Sequence, residues 1–97
     1  MPTMNSELLT ELYTLIENHR VNPPPGSYTA KLFSQGQAEI VKKVAEEAVE
    51  VALAAKDGDH AHTVYEIGDL LYHLLVLMVD SGISLDEVYA ELERRRK

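Results

Sequence analysis

Two acidic pairs in this chain have the residue types and spacing of a hard-cation site: Glu47 with Glu50, and Glu66 with Asp69. The members of each pair are three positions apart, which on an α-helix puts both carboxylates on one face. Oxygen donors of this kind suit Mg2+ better than Zn2+, because hard cations prefer carboxylate and water ligands. Mg2+ in turn usually accompanies a phosphate. Lys43 sits one turn before the first pair, where it can contact a phosphate oxygen or, equally, form ordinary helical ion pairs with Glu46 and Glu47. Glu46 is rotated toward the edge of the acidic arc, so it can face a water at the metal, which is a general-base geometry.

The turn signal Asp57-Gly58-Asp59 divides the two pairs, which lie almost equally far from Gly58 on either side. If the chain folds back there, all four carboxylates reach one level of a helical hairpin. The competing reading is a pair of solvated faces, since helix surfaces are commonly charged. Against it stand the coincidence of two pairs at one level, the low helix propensity of Asp69 at mid-helix, and the cost of clustered like charges without a cation. His73, one turn after Asp69, is expected to make a supporting hydrogen bond, while His19, His60 and His62 read as surface or helix-end residues. Tyr65 and Tyr72 flank the arc, where core-edge packing outweighs stacking on a base.

Amphipathic segments must position these groups. From Ser6 to about Arg20, Leu8, Leu9, Leu12, Leu15 and Ile16 recur at helical spacing behind a Ser6 cap. Asn22-Pro23-Pro24-Pro25-Gly26 then stops any helix and predicts a semi-rigid extended connector. Ser27 caps a short helix from Tyr28 to Gln35, which Gly36 ends in a left-handed conformation. The Glu47/Glu50 segment runs from Gln37 to Lys56, and the Glu66/Asp69 segment from Asp59 to Asp80, with the broadest apolar stripe in the chain. Ser84 and Glu87 form a capping box for a last helix to Arg96. The closing Arg94-Arg95-Arg96-Lys97 run complements the dipole of that helix. With no β alternation of useful length, the expected fold is all-α: a helical hairpin with flanking helices, completed into a four-helix-type bundle by a homodimer that covers the broad stripe.

Composition narrows the function classes. At 97 residues, 45% hydrophobic and 26% charged, the chain reads as one ordinary globular domain. A net charge of −7 speaks against a broad nucleic-acid groove, though a metal would still let a small anion bind. The lack of cysteine excludes thiolate metal sites and a cysteine nucleophile. There is neither a leader pattern at Met1-Pro2-Thr3-Met4-Asn5 nor a stretch of roughly 20 apolar residues, so a cytoplasmic protein without a membrane span is expected.

The stretch Lys43-Val44-Ala45-Glu46-Glu47-Ala48-Val49-Glu50, followed by Glu66-Ile67-Gly68-Asp69, resembles the EExxE and ExxD signature of the all-α MazG-type nucleotide pyrophosphohydrolases. Upstream, Pro24-Pro25-Gly26-Ser27-Tyr28-Thr29-Ala30-Lys31-Leu32 and Gly36 are similar to the lead-in of one family in that group, the phosphoribosyl-ATP pyrophosphatases of histidine biosynthesis. The likeness runs from about Leu8 to Arg96. It implies Mg2+-dependent hydrolysis of phosphoribosyl-ATP to phosphoribosyl-AMP and pyrophosphate by a dimer of the stand-alone form. It further implies Glu47, Glu50, Glu66 and Asp69 as metal ligands, Glu46 and Lys43 in catalysis, and Lys43, Ser27, Tyr28 and Thr29 against the substrate. Ala45 departs from the glycine common in the family, a change a helix tolerates. Two rivals remain: a housecleaning pyrophosphatase acting on dUTP or noncanonical nucleoside triphosphates, and a non-enzymatic helical oligomerisation module.

Overall fold

Helix ends in this protein follow local capping chemistry. The computed structural model describes residues 7–96 and places them in α1 (Leu8–Val21), α2 (Tyr28–Gln35), α3 (Gln37–Lys56), α4 (His60–Ser81) and α5 (Leu85–Arg95). There is no strand among the described residues. Ser27, Asp59 and Ser84 each accept a hydrogen bond from the backbone N–H three residues on, at Ala30, His62 and Glu87 respectively. These bonds satisfy donors that a first helical turn leaves unpaired. The Glu87 carboxylate reaches back to the Ser84 N–H at 2.8 Å and completes the capping box. Gly82, with φ +71°, ends α4 in the left-handed conformation that a Cβ disfavours.

Three details depart from expectation. The first helix begins at Leu8 with Glu7 at the cap position, and the Ser6 cap lies outside the described residues. The proline connector is not simply extended: the Ser27 N–H donates to the Pro24 carbonyl at 3.2 Å, and Gly26 takes φ +76°. Proline at the second and glycine at the third position are what a tight turn with one positive φ requires. Gly36 has positive φ but an extended ψ of 171°, so it closes α2 and opens α3 in one residue without entering the left-handed helical region.

The α3–α4 hairpin dominates the packing, with α1 against α4 and α2 wedged against both α1 and α3. Ile16, Leu32, Ile40, Leu75, Val76 and Val79 form the buried cluster. It therefore gathers around the end of the hairpin remote from Gly58. Toward Gly58 the hairpin instead exposes Val49 and Leu53 on α3 and Val64, Ile67 and Leu71 on α4. α5 contributes no buried residue. No single helix among those described is long and apolar enough to cross a membrane.

Candidate metal centre

Between the buried cluster and the bare end of the hairpin, Glu47 of α3 meets Glu66 and Asp69 of α4. Each of the three offers a carboxylate oxygen, and these oxygens all lie within 4.8 Å of one another. Glu66 is buried, and the other two are half-buried. One carboxylate oxygen of Glu47, Oε2, is buried without a hydrogen-bond partner. Burial pushes the Glu47 carboxyl above its ordinary value, and the neighbouring Asp69 and Glu66 carboxyls add to the rise, with His73 offsetting part of it. A carboxylate with one oxygen buried and unpartnered, beside two further carboxylates, is costly unless a cation or donor meets it. The donor set, all carboxylate, fits a hard divalent cation and can hold one.

The remaining expected ligand, Glu50, sits about one turn nearer Gly58 and is exposed, outside the group of three. Glu46 is also exposed, with its carboxylate 3.7 Å from Lys43 Nζ. Both side chains keep substantial solvent access, so this pair is loose and each partner is free to turn toward a ligand.

The supporting residues tie the acidic group to α2. Buried His73 places Nδ1 2.8 Å from the Asp69 carbonyl oxygen and Nε2 2.8 Å from Tyr28 Oη. Thr29, also buried, shares a short hydrogen bond with the Tyr72 hydroxyl. Ser27 Oγ both caps Ala30 and contacts His19 Nδ1 at 2.8 Å. Of the Ser27-Tyr28-Thr29 trio, the two smaller hydroxyls are thus engaged internally, while Tyr28 keeps 49% of its surface exposed. Burial raises the Tyr28 phenol above its ordinary value; Lys43 pulls it down, and Glu47 and Asp69 push it up.

Two histidines do more than their sequence reading assigns them. His62 Nε2 lies 2.9 Å from Glu66 Oε2, an i, i+4 contact whose spacing was visible in the sequence. His19, half-buried, joins the end of α1 to the α2 cap, a link no local pattern announces. His73 supplies the expected supporting bond, though to a main-chain oxygen of Asp69 and not to its carboxylate. Tyr65 remains 66% exposed, whereas Tyr72 packs against the core cluster.

Known proteins share this arrangement's sequence over nearly its whole length. The family model described as phosphoribosyl-ATP pyrophosphohydrolase matches residues 9–96. The phosphoribosyl-ATP pyrophosphatase of Pelotomaculum thermopropionicum is 48% identical over 91 residues, covering 94% of this chain and 93% of that protein. The phosphoribosyl-ATP pyrophosphatase of Saccharolobus islandicus is 43% identical over 94 residues, covering 97% of this chain and 100% of that protein. The histidine biosynthesis bifunctional protein HisIE of Caldanaerobacter subterraneus subsp. tengcongensis is 50% identical over 91 residues, and there the chain spans 44% of the relative's length. Every residue of the acidic group falls inside the matched span, and with it the chain belongs to the phosphoribosyl-ATP pyrophosphohydrolase family.

Proposed function

We propose that this protein hydrolyses phosphoribosyl-ATP to phosphoribosyl-AMP and pyrophosphate in histidine biosynthesis, using Mg2+. Family membership supports the substrate. The observation that carries the chemistry is the meeting of the Glu47, Glu66 and Asp69 carboxylates, with one Glu47 oxygen buried and partnerless. In this reading Glu47, Glu66 and Asp69 hold Mg2+, and Glu50 contributes from the exposed rim. Bound there, Mg2+ supplies charge neutralisation for the triphosphate and acidifies a coordinated water.

Phosphoryl chemistry depends mainly on positioning and electrostatics, and the chain's own residues divide that work. Lys43 leaves its loose pair with Glu46 to meet a phosphate oxygen. Glu46, so released, orients the attacking water and takes its proton as the water adds in the α,β region of the triphosphate and the P–O bond to pyrophosphate breaks. Tyr28 meets the substrate directly. Ser27 and Thr29 fix α2 so that Tyr28 stays beside the acidic group.

The same reading makes the chain a single all-α domain that works as a homodimer. The exposed stripes Val49/Leu53 and Val64/Ile67/Leu71 support it, because two such hairpins packed together form a four-helix-type bundle. The experiment is pyrophosphate release from phosphoribosyl-ATP with Mg2+, against a chelator control and a panel of free nucleoside triphosphates. Chelator-sensitive release confined to phosphoribosyl-ATP is the expected result, and preferential turnover of free nucleotides would overturn it.

A further inference from the structure

We infer that Tyr28 accepts a hydrogen bond from a sugar hydroxyl of the bound nucleotide, and that His73 is the positioning residue that commits it to that polarity. The inference rests on the nucleotide reading above and deepens it by naming what selects a ribose. His73 Nδ1 lies 2.8 Å from the main-chain oxygen of Asp69. A carbonyl oxygen only accepts, so Nδ1 carries the hydrogen, and in the neutral imidazole Nε2 presents a lone pair. Tyr28 Oη, 2.8 Å from Nε2, must then be the donor in that contact. With its hydrogen held inward, the phenol offers only lone pairs to the outside. Phosphate oxygens have no hydrogen to give to such an acceptor, whereas a ribose hydroxyl does.

The ring of His73 cannot easily turn to another arrangement. It retains 5% of its surface and meets Tyr28 and Tyr72 edge-on, at interplanar angles of 89° and 87°. Tyr28 is near the acidic group, through His73, which follows Asp69 by one turn on α4. It also lines an open pocket of about 460 Å³ with Pro23, Pro24, Lys31 and Ser34. A nucleotide with its phosphates at the carboxylates and its nucleoside toward the pocket passes its sugar across Tyr28.

Binding of ATP, 2′-deoxy-ATP and 3′-deoxy-ATP with Mg2+, measured by calorimetry, tests the assignment. Wild-type protein is expected to favour ATP over at least one deoxy analogue by roughly fivefold, the worth of one neutral hydrogen bond. Tyr28→Phe should erase that preference by weakening ATP alone. His73→Phe frees the phenol hydrogen and should reduce the preference as well, with helical signal and thermal midpoint checked for both variants. A wild type without preference or without binding, or a preference that survives Tyr28→Phe, overturns the assignment. A preference untouched by His73→Phe overturns the positioning role. Parallel assays of pyrophosphate release by wild type separate the two proposals: normal turnover without ribose preference defeats only this one, and ribose preference without turnover defeats only the proposed reaction.

Discussion

The acidic group on α3 and α4 and the charged end of α5 both set charged side chains about one helical turn apart, and they come to opposite ends. On α5, Glu91 pairs with Arg94 and Arg95, and Glu93 with Arg96, all at the surface. Those guanidinium groups hold the Glu91 carboxyl below its ordinary value. At the hairpin, burial and two like charges push Glu47 the other way. Helical spacing alone therefore does not distinguish a ligand set from a solvated face. What separates them is whether the neighbouring charges match or oppose, and how far water is excluded.

The comparison breaks most visibly at Asp69. Asp69→Asn should keep the helical signal yet lower pyrophosphate release roughly 100-fold or more at saturating Mg2+, since even residues outside a metal's first ring of ligands often cost 10–100-fold. Near-normal release by that variant would remove Asp69 from the ligand set.

Stability offers the next test. The raised Glu47 value means that the folded, metal-free protein binds this proton more tightly than the unfolded chain does. Its contribution is thus present at low pH and is lost as pH rises from the ordinary value of 4.5 through the raised one. In chelator, Glu47→Gln should therefore gain stability relative to wild type as pH increases, by denaturant midpoint. With Mg2+ restored, wild type should rise by several degrees in thermal midpoint and Glu47→Gln should not. An equal Mg2+ response in both proteins would mean that the ion binds elsewhere.

On α5 the same logic predicts modest effects, ordered by hydrogen bonding and not by charge. Ser84→Ala removes the side-chain half of the capping box and should cost about 1 kcal/mol in denaturant unfolding. Glu91→Ala breaks two exposed ion pairs and should move the thermal midpoint by no more than about 2 °C. A larger loss at Glu91 than at Ser84 would contradict the view that α5 is held by its cap.

Much of the fold was legible because its signals are local. Ser27 and Ser84 start helices by bonding three residues ahead, and Gly82 ends one through a conformation other residues resist. The meeting of Glu47 with Asp69 and Glu66 was also countable, since rise per residue on either side of Gly58 sets the level each side chain reaches. Counting did not show that Glu50 stays exposed. Rotation of α3 about its own axis decides that, and packing against α2 and α4 sets the rotation. Likewise, the turn at Pro25-Gly26 was hidden behind three prolines that read equally well as an extended strut.

By itself, then, the sequence determined five helical stretches, most of their ends, and which carboxylates share a face, because each depends on residues within a turn or two of one another. Only the tertiary structure decided that Glu47 Oε2 is buried without a partner, that His19 braces the α2 cap, and that His73 takes hold of Tyr28 across 45 positions. Those features depend on side chains from separate helices excluding water from one another, and the pattern along a single helix carries no record of which partner will arrive.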